Sequence, residues 1–97
     1  MKLLLFGRET CEVCKSIKEK LQYFSDKHTP IPIEYFDVDS VDGLAESAYL
    51  SVPDIPTVIL MKEQAEIKRW VKSAPIFAEL NELLTQNRAS DKSSLNL

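Results

Sequence analysis

The chain has 97 residues and a formal net charge of -3, with 12 lysines and arginines against 15 aspartates and glutamates. That length sustains one domain around one core and leaves none for a second. The acidic balance argues against a phosphate backbone or an anionic membrane surface as partner.

The opening MKLLLFG carries an apolar run of four residues, cut off at once by Arg8 and Glu9. Such a run is too short for a signal-peptide core or a membrane span, so a cytoplasmic location is expected. Residues 2 to 6, KLLLF, ended by Gly7, read as a strand buried on both faces. In the segment that follows, Cys14, Ile17, Leu21 and Phe24 recur at the spacing of one helix face, with lysines and glutamates on the other. Pro30 and Pro32 cannot continue that helix. IEYFDV, 33 to 38, reads as a second strand, and strand, helix and strand in one unit favour a parallel pair with a right-handed crossover.

Val41, Leu44, Ala45, Ala48 and Tyr49 mark a short second helix, weakened at its start by Gly43. Asp37 and Asp39 are read as ending the strand and capping this helix rather than as paired carboxylates. After VPDIP, TVILM at 57 to 61 is a third strand; a short link, KEQA, then leads to EIKRWVK at 66 to 72, an antiparallel edge strand. Ser73 as N-cap, Pro75 near the first position and a stripe of Ile76, Phe77, Leu80, Leu83 and Leu84 predict a last helix running to about Gln86. From Arg88 the polar RASDKSSLNL has no period, which predicts a flexible tail over 88–97 and a domain over 1–87. The order β-α-β-α-β-β-α specifies an α/β fold, a four-stranded mixed sheet with helices on both faces.

Both cysteines, Cys11 and Cys14, lie in CEVC where the first strand gives way to the first helix, the usual place for chemistry in open α/β sheets. The thiolate is the nucleophile in disulfide exchange, and an ordinary thiol with pKa about 8.5 is mostly protonated at neutral pH. Unpaired N–H groups and the positive dipole end favour the anion at the helix start, Thr10 to Glu12. Cys14 lies one turn on, on the same side, and begins the apolar stripe, so it should be the more buried thiol with the higher pKa. Cys11 is therefore expected to attack and Cys14 to resolve the mixed disulfide. Arg8 and Lys15 favour the thiolate while Glu9 and Glu12 oppose it, so the Cys11 pKa is expected below that of an ordinary thiol without being extreme.

Pro56, in Ile55-Pro56-Thr57 ahead of a buried strand, is the candidate for a cis peptide, although sequence leaves the isomer open. A cis bond there would turn the Ile55 N–H and C=O outward to receive an extended thiol-bearing peptide. A metal site needs four ligands, of which one CxxC supplies two, and the only histidine, His28, belongs at the far end of the first helix. Zinc or an iron–sulfur cluster would have to be shared between chains. Trp70 carries no spacing that marks a binding platform.

The strand leading into CEVC, Ile55-Pro56-Thr57 before a later strand, and the final helix resemble the thioredoxin superfamily. Size and element order are similar to its glutaredoxin and glutaredoxin-like thioredoxin branch, over residues 2 to about 86. The resemblance implies a dithiol-disulfide oxidoreductase with Cys11 as nucleophile, Cys14 as resolving thiol and Pro56 cis and facing them. It places Arg8 where glutaredoxins often carry a lysine that meets a glutathione carboxylate, with Thr10, Ile55 and Thr57 completing the substrate-facing set. It further implies no tightly bound cofactor, a disulfide-containing protein as substrate, and glutathione or thioredoxin reductase as electron donor; a monomer is the default expectation at this size. Three departures stand out: Val71-Lys72-Ser73-Ala74 replaces the usual glycine pair, Glu12-Val13 matches neither branch's inter-cysteine pair, and IPT is closer to thioredoxins than TVP. The rival reading is a module of the same fold that holds a partner or a shared metal without redox turnover.

Overall fold

Residues Lys2–Gly7 form β1, buried from Leu3 onward because both of its edges and both of its faces are covered. The computed structural model describes residues 1–95, with side chains described as far as Asn87. The remaining elements are α1 (Glu12–Lys27), β2 (Ile33–Asp37), α2 (Val41–Tyr49), β3 (Thr57–Lys62), β4 (Ala65–Val71) and α3 (Phe77–Leu95). The sheet order is β2-β1-β3-β4, with β1 parallel to β2 and antiparallel to β3, and β3 antiparallel to β4. This is the mixed four-stranded α/β fold expected from the sequence.

Side chains alternate across a strand, so the two faces of β1 feed two cores. Leu3 and Leu5 meet Val58, Leu60 and Trp70, and onto that face pack Ile17, Leu21 and Phe24 of α1 with Leu80 and Leu84 of α3. Leu4 and Phe6 point the other way and join Ile59, Met61 and Val52. The buried set of α1 is Cys14, Ile17, Leu21 and Phe24, the stripe read from the sequence. Ser25 closes the turn beyond α1: its hydroxyl donates to the Ile31 carbonyl at 2.8 Å and accepts the Ile31 N–H at 3.0 Å.

Five details differ from expectation. The second helix presents its apolar residues to solvent: Val41, Leu44 and Tyr49 are 85%, 61% and 82% exposed, while Gly43 and Ser47 face the sheet. The cause is close packing, since a methyl group on Gly43 would collide with the backbone carbonyl of Asp37. Its N-cap is Ser40, whose hydroxyl accepts the Gly43 N–H at 3.0 Å, not Asp39. At its end Ser51 takes φ 55°, and the Ser51 and Val52 N–H groups bond back to the Ala48 and Ser47 carbonyls, a Schellman closure.

The last helix begins at Phe77 rather than behind a Ser73 cap, leaving Ile76 69% exposed. Pro75 disfavours helical geometry at Ala74, and Lys72 turns the chain first with φ 57°. The β3–β4 turn is tighter than the KEQA link, using Glu63 at φ 56° and Gln64, with Lys62 paired to Ala65. Helical backbone continues past Gln86 to Leu95, since no glycine or proline interrupts it. The tail expected over 88–97 otherwise falls on side chains, and at 96–97 on backbone, outside the described residues.

Arg69 on edge strand β4 fastens the end of α2. Its guanidinium donates to the Leu50 and Ser51 carbonyls at 2.8 and 2.9 Å and to both carboxylate oxygens of Glu66 at 2.6 and 2.7 Å. A cation at orphan helix carbonyls is favourable both as a donor and against the dipole.

Two predictions follow from this packing. Gly43→Ala gains about 1 kcal/mol of helix propensity but drives a methyl into rigid backbone, and overpacking of that kind costs about 1–3 kcal/mol, so the urea midpoint should fall. A midpoint that holds or rises would show that α2 can lift off β2. The hydrogen bond from Arg69 holds the Glu66 carboxyl below its ordinary 4.5 despite partial burial. A folded pKa below the unfolded one means that the unfolded chain binds more protons. The contribution is therefore present at neutral pH and lost as pH falls through and below 4.5. Glu66→Gln should flatten the acid limb of the stability–pH curve; an unchanged limb would contradict it.

Candidate redox site

The last residue of β1 decides how the cysteines sit. A methyl group on Gly7 would lie 2.9 Å from both Cβ and Sγ of Cys14, so only glycine lets this thiol lie against the strand. Cys14 is 0% exposed, while Cys11 is half-buried at the N-cap of α1. The two are joined as a disulfide with Cα atoms 5.2 Å apart. The Cys11 sulfur accepts the Cys14 N–H at 3.2 Å, the role usually taken by a serine or aspartate oxygen at a helix start. The Cys11 N–H donates to the Arg8 carbonyl at 3.1 Å and its own carbonyl accepts the Lys15 N–H at 3.2 Å, fixing the loop on both sides.

This arrangement gives the two sulfurs different surroundings. A sulfur aimed at an orphan N–H on the positive end of a helix is stabilised as a thiolate. A sulfur enclosed in apolar surroundings loses hydration when charged and stays protonated until its partner reacts. Cys11 fits the first description and Cys14 the second.

The other site residues read from the sequence divide in two. Pro56 is buried and its bond to Ile55 is cis. Phe6 pairs with Thr57, so one step further along both strands Pro56 stands level with Gly7, at the cysteine end of the sheet. Lys72 donates its N–H to the Pro56 carbonyl at 2.6 Å, fastening this turn to the segment before α3. Arg8 and Ile55 line one cavity of about 390 Å³ with Val38, Leu44 and Val52. Thr10 is exposed in the loop before Cys11. Thr57, by contrast, is fully buried, and its hydroxyl donates to the Asp54 carbonyl at 2.7 Å, bracing the turn.

Arg8 is engaged within the chain: Nε and Nη2 donate to the two carboxylate oxygens of Asp39 at 3.1 and 3.2 Å. The pair ties the loop before Cys11 to the loop after β2. Its partners are both largely exposed, so it is worth little as stability and more as orientation.

Tyr35 was not singled out from the sequence. Its ring lies 3.5 Å from where a Gly7 methyl would stand, and the Lys18 ammonium sits 4.6 Å from the ring centroid. Burial first, then the carboxylates of Asp37, Glu9 and Asp39, push its phenol above 10.0, keeping the hydroxyl neutral beside the site. Its position follows from the register: Tyr35 pairs with Leu5, two residues before Gly7, and so faces α1, which strand alternation alone does not reveal.

His28 stands at the far end of α1, exposed, with its ring among Tyr23, Phe24 and Phe77. Among the described residues no three His, Cys, Asp or Glu side chains converge as a metal-holding group. Nor is any helix among them long and apolar enough to cross a membrane.

A four-stranded mixed sheet with a Cys-x-x-Cys disulfide at the N-terminus of its first helix defines a thiol–disulfide redox protein of thioredoxin-like fold. The profile of the family described as Glutaredoxin-like domain (DUF836) matches residues 2–81, and the chain belongs to that family. In structure it is similar to thioredoxin 1 from the thermophilic eubacterium Thermosipho africanus TCF52B, with 31% identity, a TM-score of 0.69 and coverage of 97% of this chain and 99% of that one. It also resembles, in fold, oxidised thioredoxin O2 from Arabidopsis thaliana (19% identity, TM-score 0.69, 88% and 72% covered) and Fasciola hepatica thioredoxin (24%, 0.67, 87% and 77%). No curated protein matches the sequence.

Gly7→Ala tests whether the strand end positions the buried thiol. The variant should lose about 1–3 kcal/mol of stability, as overpacked sites do, and should form the Cys11–Cys14 disulfide more slowly, read by alkylation and mass. Unaltered stability and oxidation would show that Cys14 does not depend on the space that Gly7 leaves.

Proposed function

We propose that this protein is a dithiol-disulfide oxidoreductase that reduces disulfides in other proteins. The observation that carries the reading is the asymmetry of the pair: Cys11 half-exposed with its sulfur on a helix-start N–H, Cys14 buried behind it.

In the reduced protein the Cys11 thiolate attacks one sulfur of a substrate disulfide. A new S–S bond joins Cys11 to the substrate, and the other substrate sulfur leaves as a thiolate that takes up a proton. Cys14 then loses its proton and attacks the Cys11 sulfur; the Cys11–Cys14 disulfide forms and the second substrate thiol departs. Two electrons pass from the pair to the substrate, which becomes a dithiol. The Ile55 backbone, beside the cavity shared with Arg8, is the edge against which an extended substrate segment would lie.

Regeneration needs an external donor, either glutathione or a thioredoxin reductase. The engagement of Arg8 by Asp39 removes a ready partner for a glutathione carboxylate, which favours the reductase. No tightly bound cofactor, nucleic acid or second copy enters this scheme. A cytoplasmic setting fits it, since a lone close cysteine pair there is kept reduced between turnovers.

Cys11→Ser should abolish reduction of a protein disulfide such as that of insulin, while Cys14→Ser should accumulate a mixed disulfide visible by mass. An active Cys11→Ser would sink the mechanism. Supplying the wild type with NADPH and thioredoxin reductase, or with glutathione and its reductase, separates the donors: faster turnover with the first supports the reading of Arg8, and faster turnover with glutathione contradicts it. Stoichiometric metal in purified protein with no turnover from any donor would favour a binding module instead.

A further inference from the structure

An amphipathic helix in a globular protein normally turns its apolar stripe inward. α2 does the reverse: Val41, Leu44, Ala45, Ala48 and Tyr49 all lie on its solvent side, and its inner face is Gly43 and Ser47. The reversal is locked, because the Gly43 backbone rests on Asp37 and leaves no room for a larger side chain to rotate in. The exposed face pairs small residues, Ala45 and Ala48, with larger ones above and below, the relief that lets a second helix approach closely.

The charge that this segment itself carries has one sign. From Asp37 to Asp54 the chain carries Asp37, Asp39, Asp42, Glu46 and Asp54 and no lysine or arginine. Cations that reach the segment from elsewhere are engaged, Arg8 by Asp39, Lys72 by Asp54 at 3.8 Å, and Arg69 by Glu66 and the carbonyls at the end of α2. Beside Tyr49 the face opens into a cavity of about 410 Å³ with Leu4, Phe36 and Met61 among its lining and the carboxylates of Glu34, Glu46 and Glu63 around it. Lys2 also lines it and pairs with Glu34 at 3.7 Å. An apolar floor under carboxylates suits the stem and head of a lysine or arginine.

A second copy of this chain is a poor occupant. Two-fold pairing would bring the acidic side chains of one copy, Asp42 and Glu46, up to those of the other, and like charges across an interface oppose association. We propose that the outer face of α2, with the cavity beside Tyr49, docks a basic amphipathic helix of a partner protein, aliphatic residues on the Leu44 stripe and a lysine or arginine among Glu34, Glu46 and Glu63. The surface is continuous with the cavity at Arg8 and Ile55, which Leu44 and Ser47 also line, so a partner held here lies alongside the redox site. The assignment rests on shape and charge and stands whether or not the cysteines turn over.

The test uses the full oxidised chain and a labelled amphipathic helix of leucine and lysine, roughly 18 residues or five turns, followed by fluorescence anisotropy. The same composition in scrambled order and a leucine–glutamate version serve as comparisons. The ordered lysine peptide should bind at least about tenfold more tightly than either, a difference of about 1.4 kcal/mol. Leu44→Ser and Tyr49→Ser, both at exposed positions, should each remove most of that difference, whereas Val13→Ser, exposed on α1, should not. Glu46→Lys should weaken binding and reduce its salt dependence. Equal binding of ordered and scrambled peptides, or no effect of Leu44→Ser and Tyr49→Ser, would overturn the proposal. A dimer in sedimentation that Leu44→Ser dissociates would overturn it in favour of self-association.

Discussion

The contact between Gly7 and Cys14 is the constraint on which the site depends. β1 can lie at the centre of the sheet because each of its faces meets a separate core, and it ends in the one residue type that leaves space for a buried sulfur. With Cys14 seated there, α1 must start at Glu12 and Cys11 becomes its cap, half-exposed and directed at the Cys14 N–H. Exposure, hydrogen bonding and burial thus differ between two cysteines only three positions apart. The proposed division into attacking and resolving sulfur rests on that placement.

Around this point the fold uses polar clasps rather than extra core. Arg8 with Asp39 joins the loops that follow β1 and β2, the Lys72 N–H holds the Pro56 carbonyl, and Arg69 secures the end of α2 that leads into the Pro56 turn. Each clasp bridges segments far apart in sequence, so the end of the sheet bearing the cysteines is held from three sides. The exposed Arg8–Asp39 pair among them contributes little to stability. The effect of the clasps is on where the loops stand relative to Cys11.

Most of the architecture was legible because its signals are local. β1 is an apolar run ended by glycine, α1 shows a full stripe, and both prolines after it mark a stop. The parts that were not legible depend on contacts between segments. Gly43 reads as a weak helix residue, yet it is required by the Asp37 carbonyl, and this contact turns the apolar stripe of α2 outward. Ser73 reads as a cap, but Pro75 and the left-handed Lys72 delay the helix to Phe77. At the site, Cys11, Cys14 and Pro56 could be found from motif and position. The engagement of Arg8, the burial of Thr57 and the approach of Tyr35 required the register of the sheet.

The most direct test of the central claim is a redox titration of the full chain, equilibrated in dithiothreitol buffers of stepped potential, quenched by alkylation and counted by mass. If Cys11 and Cys14 form a functional pair, the chain passes from two free thiols to none within the monomer, in one two-electron transition of about 30 mV per tenfold change. Two thiols that persist at the oxidising end, or disulfides that form only between chains, would contradict it.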